Sequence, residues 1–289
     1  MPITAVILVI VSAFLHASWN LIAKQNRGDY FFFWQALIAT VVIFVAPFIV
    51  LVSQNPIPRG AWGWIGMTGV LHTLYFSTLA TAYRRADLSV VYPIARGLAP
   101  VLVLVGSVSV VRESVTLLGA SGVLAVVIGV YAINVRAPEL SAWLIPITGL
   151  FRPEGRYAVA TGVLIAAYTL VDKQGVNLVH PLVYVYLVFA ASAVGVTATL
   201  VMHRPIWNSI LDVHQWGRAT GMAILWVSAY GLVLFALQIA PTPYVAAMRE
   251  TGIVIGAALG IVAMRETGGH IRIIGAVIVA CGVGMIAIS

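Results

Sequence analysis

Charge is what this chain has least of. Of its 289 residues, 9% are charged and 61% are hydrophobic, whereas a soluble domain carries about 25% charged residues. So few ionised side chains cannot solvate a surface, and the mean hydropathy of +1.02 agrees. Soluble, disordered, collagen-like and disulfide-scaffold classes are excluded. Cysteine is reduced to Cys281, in an apolar run and without a partner, which excludes disulfides and cysteine metal sites. The nine carboxylates form no cluster and the six histidines have no ligand spacing. A metal-dependent, membrane-embedded transferase therefore has no visible site. Neither Lys24 nor Lys173 follows a glycine, so there is no Walker sequence for nucleotide hydrolysis. The expectation is not an enzyme, with no cofactor and no metal.

What the chain has instead is long apolar runs. A helical span needs about 20 apolar residues, and ten segments qualify: 3–23, 30–53, 61–84, 88–111, 115–136, 157–174, 181–202, 216–239, 242–264 and 269–288. The runs are continuous rather than alternating, so helices are expected and not barrel strands. The N-terminal run lacks a basic leader, its first positive charge being Lys24, and reads as a retained span. The net charge of +7 comes from scattered residues that form no nucleic-acid patch.

One connection is long. Residues 137–156 hold Pro138, Glu139, Pro146, Arg152, Pro153, Glu154 and Arg156, with Trp143 and Leu144 suited to a membrane interface. The expected units are thus 1–136, an interfacial linker 137–156, and 157–289. A shift of 153 carries Arg96 onto Arg249, Arg112 onto Arg265, Glu113 onto Glu266, Gly122 onto Gly275 and Gly129 onto Gly282. Lys24-Gln25 and Lys173-Gln174 match at a shift of 149, each closing the first span of its half. Charges and glycines are too sparse for such matches to be compositional, so the chain reads as one five-span unit written twice. An odd number of spans makes the second copy enter the membrane in the opposite sense. The expected fold is an all-α integral membrane protein of ten transmembrane helices, two inverted five-helix repeats around a central cavity.

Connections after odd-numbered spans hold Lys24, Arg27, Arg84, Arg85, Arg136, Arg152, Arg156, Arg204, Arg218, Arg265 and Arg272; the others hold Arg59, Arg112 and Lys173. The positive-inside rule then puts both termini outside the cytoplasm.

The Glu113…Gly122…Gly129 and Glu266…Gly275…Gly282 patterns, with Trp19-Asn20…Lys24 closing span 1, resemble the EamA-type carriers of the drug/metabolite transporter superfamily. The resemblance covers almost the whole chain. It implies secondary transport of small metabolites such as amino acids or organic anions by alternating access, with export the usual direction, in a multi-pass bacterial inner-membrane protein. His16-Ala17-Ser18-Trp19-Asn20 also looks like a subset found near phosphonate-use genes, which gives a phosphonate permease as one alternative. A flippase for lipid-linked substrates is another.

The candidate substrate site follows from polar residues inside spans. Arg96 and Arg249 lie deep in spans 4 and 9, where a charge costs at least about 2.5–3.5 kcal/mol. A guanidinium fork there suits a carboxylate or phosphate. Structurally, the alternative is that Glu250 neutralises one arginine and ties the two spans together. Glu250 is also the candidate for coupling to protons. His16, Asn20 and Lys24 share a helix face, and His16 and Asn20 are expected to line the cavity. Trp19, His72, Tyr75, Tyr92, Tyr168, Trp226, Tyr230 and Tyr244 offer rings with polar tips, while Trp62, Trp64, Trp207 and Trp216 read as interfacial anchors. Span 6 offers Tyr168 and Asp172, also four apart, with Lys173 next; the alternative for Asp172, near the helix end, is a solvated residue. Glu113 and Glu266 are expected to cap the span that follows each. Gly252, Gly256 and Gly260 form a small-residue packing stripe, and a homodimer is compatible with it. The expected partners are a small-molecule substrate, the bilayer and protons, with no nucleic acid.

Overall fold

The computed structural model describes residues 1–25, 29–85, 88–135, 139, 143–144, 148, 155–203, 213–256 and 270–289. Among these, every long element is helical and no strand occurs. A backbone in hydrocarbon must satisfy its own N–H and C=O groups, and apolar runs of this length do so as helices.

The helices are α1 (Ile3–Gln25), α2 (Tyr30–Gln54), α3 (Trp62–Arg85), α4 (Leu88–Gly106), α5 (Leu117–Asn134), α6 (Gly155–Val176), α7 (Pro181–His203), α8 (Val213–Ile239), α9 (Thr242–Arg249) and α10 (His270–Ile288). Residues 251–256 are again helical after a turn at Glu250. Seven of these segments are long and apolar enough to cross a membrane. Residues 88–111, expected as one span, end in a π-helical turn, Ser107–Val111. It closes on Arg112 at φ 61°, the only positive φ outside glycine among the described residues. A tight reversal follows, and Thr116 caps α5 by accepting from the Gly119 amide at 3.0 Å.

Polarity is arranged inside out. Leu117, Val110, Met202, Ile288 and Val194 are each more than 70% exposed, whereas Asp172, Gln35, Thr40 and Thr161 have no exposure. This suits a chain whose solvent is lipid.

The two halves pack reciprocally. α1 lies on α8 and α3 on α6; α2 lies on α8 and α3 on α7; α2 meets α7, and α5 meets α10. The last contact is made through the glycines matched in the sequence. A Cβ at Gly122 would sit 2.8 Å from the Gly282 carbonyl oxygen, and one at Gly282 would sit 2.7 Å from that of Gly122. Gly129 and Gly275 meet in the same mutual way, at 2.7 and 2.8 Å. Numbers rising along α5 meet numbers falling along α10, so the helices are antiparallel and in backbone contact. Of the expected stripe on span 9, Gly252 does pack closely, its Cβ position 3.1 Å from the Ala13 carbonyl. Gly256 has nothing within 4 Å, and Gly260 lies outside the described residues, as does most of 137–154.

Candidate substrate cavity

α1, α3, α4, α6, α7, α8 and α9 surround a cavity. Its wall is mostly aromatic. Trp19 of α1 and Trp226 of α8 stack with centroids 5.5 Å apart, and Phe76 and Phe189 meet Trp226 edge-on at 5.2 and 5.0 Å. On the other side His72 lies 4.2 Å from Tyr168, with Tyr75 edge-on to Tyr168 at 5.6 Å. Trp19 is buried and its Nε1 has no hydrogen-bond partner among the described residues. An indole N–H without an acceptor is costly, and it sits in the wall of this cavity.

The two arginines differ. Arg96 Nε lies 3.1 Å from Glu250 Oε2, the side chains only 10% and 5% exposed, and Arg96 Nη2 donates to His16 Nε2 at 3.3 Å. The pair joins α4 to the end of α9, and Arg96 is the arginine that Glu250 neutralises. Arg249 lines the cavity with its Cζ 5.6 Å from the Tyr230 ring centroid. Among the described residues no carboxylate lies within ion-pair distance of it. A guanidinium over a ring face is favourable; Arg249 also hydrogen-bonds the Tyr168 hydroxyl, and its five N–H groups leave donors over for an anion.

Of the residues expected at the site, His16, Trp19, Tyr75, Arg96, Tyr168, Trp226, Tyr230 and Arg249 line the cavity. Glu250 reaches it through Arg96. Asn20 is not in the wall: its amide turns back to the His16 carbonyl at 2.9 Å. Tyr92 is helical, but its side chain and that of Lys24 lie outside the described residues. Sequence reasoning did not name Ser12, Phe76, Phe189, Ala229 or Val233, which complete the wall. Ser12 gave no signal because its hydroxyl serves packing, donating to the Ala229 carbonyl at 2.7 Å.

Asp172 is fully buried rather than solvated. Its Oδ1 accepts from Thr68 at 2.5 Å and from Tyr184 at 2.9 Å, and its Oδ2 accepts from the Tyr230 hydroxyl. Glu113 does not cap α5. It accepts from the Thr242 amide at 2.9 Å and hydroxyl at 3.0 Å, capping α9 in the other half. It also pairs with Lys173 at 3.3 Å and accepts from Ser107. Tyr244 completes this bridge by accepting from the Thr116 amide at 3.0 Å. One end of the bundle is therefore tied across the repeats by half-buried polar contacts. Glu266 lies outside the described residues.

The fold and this cavity define a polytopic membrane protein with an internal site between two like halves. The family model of EamA-like transporters matches residues 3–135 and again 156–288, so the chain belongs to the EamA-like transporter family, in keeping with the drug/metabolite transporter superfamily. A solved crystal structure superposes with a TM-score of 0.74 over 98% of this chain and 97% of that one, at 16% identity, a likeness of fold alone. No curated protein matches. The protein is a multi-pass membrane transporter of the drug/metabolite type.

Proposed function

We propose that this protein is a secondary active transporter for small organic anions with a flat apolar part, working by alternating access. Arg249 carries the reading. It is a cation in an aromatic-walled internal cavity, with no carboxylate partner among the described residues. The anionic group occupies its fork, while Trp19, Trp226 and Phe189 hold the flat part and the Trp19 N–H offers a further donor. Arg96, neutralised by Glu250, ties α4 to the end of α9 beside the same cavity.

Transport from one compartment to the other follows from ten spans in two inverted repeats, which is the arrangement we propose. The reciprocal glycine contacts support it. A two-fold axis relating antiparallel α5 and α10 runs across the helices and therefore in the plane of the membrane. Under such symmetry, the tied end at Glu113–Lys173 has a counterpart at the other end, and opening one accompanies closing the other.

The test is exchange in proteoliposomes with labelled L-tryptophan, L-phenylalanine, benzoate and 2-aminoethylphosphonate. Wild type is expected to exchange at least one of them. Arg249→Ala should weaken half-saturation about 10- to 100-fold, the value of one charge-assisted contact. Unaltered exchange in Arg249→Ala overturns the anion site.

A further inference from the structure

We infer that Asp172 is the proton site of this transporter, taking up one proton together with each organic anion bound at Arg249. The inference rests on the transport reading above and adds the coupling ion and its place.

The carboxylate has no exposure, yet the donors around it are all neutral hydroxyls: Thr68 of α3, Tyr184 of α7 and Tyr230 of α8. Each of these hydroxyls can turn from donor to acceptor, so the same three partners can serve a carboxylate or a carboxylic acid. The remaining titratable and charged neighbours are accounted for. On α3, His72 bonds Thr68 through Nδ1 at 3.0 Å. On α6 itself, Lys173 is taken by Glu113 and by the carbonyls of Leu237 and Ala240, and Tyr168 lies one turn toward the cavity. On α4, Arg96 is taken by Glu250. On α9, Arg249 lies over the ring of Tyr230, the same residue whose hydroxyl reaches Asp172.

Charge balance gives the coupling. With Arg96–Glu250 and Lys173–Glu113 neutral as pairs, Arg249 and Asp172 are the two charges left, among the described residues, on either side of Tyr230. An anion on Arg249 turns this balanced set into one with a net negative charge in a low-dielectric interior, which is strongly disfavoured. A proton on Asp172 restores neutrality. Oδ1 already has two donors and Oδ2 only one, so the proton adds at Oδ2. It arrives from the cavity solution through Tyr230: the tyrosine passes its hydroxyl proton to Oδ2 and takes another from the cavity side. The Oδ2–H group then donates to the Tyr230 oxygen, and the hydroxyl proton points toward the bound anion. Glu250, the carboxylate that the sequence suggested for this role, lies in direct contact with Arg96 and has its counter-charge already.

The experiment uses the reconstituted full chain, the four-solute panel to establish transport, and the net anions of that panel, benzoate and 2-aminoethylphosphonate, to follow protons with a pH indicator in weakly buffered medium. Wild type is expected to remove protons from the side where solute enters. Asp172→Asn should show no proton movement with solute, and Asp172→Glu should restore it. Failure of wild type to move any panel solute sinks the transport reading. Solute movement without protons in wild type, or unchanged proton movement in Asp172→Asn, overturns the assignment of Asp172 while leaving transport intact. Should Asp172→Asn fail to insert, infrared difference spectra of wild type decide. Solute binding must raise a protonated-carboxyl band that shifts when aspartate carries ¹³C; a shift only with ¹³C-glutamate overturns the proposal.

Discussion

Arg96 and Arg249 occupy equivalent places in the two halves, yet among the described residues only Arg96 is paired with a carboxylate. The turn that ends α9 puts Glu250 beside Arg96 rather than beside its own neighbour in sequence. Removing one member of such a buried pair strands the other, at about 3–5 kcal/mol. Arg96→Ala is therefore expected to lower the unfolding midpoint in detergent sharply, and Arg96→Ala combined with Glu250→Gln to recover much of the loss. A double variant as unstable as the single one contradicts the pairing. At this scale the sequence was informative wherever a charge interrupted an apolar run, as with both arginines and Glu250. It was silent where an ordinary apolar residue lines the cavity, as with Phe189. It left Asp172 open, since a place near a helix end also suits a solvated residue; its three donors come from helices far away in sequence, and nothing local announces them.

At the scale of elements, the glycine matches were the most legible feature. Gly122, Gly129, Gly275 and Gly282 stood out in the sequence as a repeat, and they are the points where α5 and α10 touch backbone to backbone. Gly122→Ala forces a methyl to 2.8 Å from the Gly282 carbonyl oxygen and 2.9 Å from Ile286. Overpacking of this kind costs about 1–3 kcal/mol. Thermal unfolding should show a lowered midpoint, while Gly284→Ala, with nothing within 4 Å, should leave it unchanged. Equal effects of the two substitutions contradict the contact. The capping of α9 was not legible in this way. The Arg-Glu pair beside a tight turn suggested a local cap on α5, but Thr116 fills that role and frees Glu113 for a helix 129 residues away. A long-range cap leaves no spacing signature, since its partner is set by how the halves pack.

For the whole molecule, composition alone established a multi-pass helical protein, and the repeat is visible in both the sequence and the family match. What composition does not encode is which side each loop faces, because the positive residues that bear on orientation also sit at helix ends where they have structural work, as Lys173 does. The account rests on two five-span halves threaded in contrary directions. Cysteines placed at exposed Pro2 and at exposed Thr148, in a background with Cys281 replaced by serine, report this directly through a membrane-impermeant maleimide. In right-side-out and inside-out vesicles the two positions should label from opposite faces, Pro2 from outside the cytoplasm and Thr148 from within it. Labelling of both from the same face would contradict the inverted repeat and the alternating access built on it.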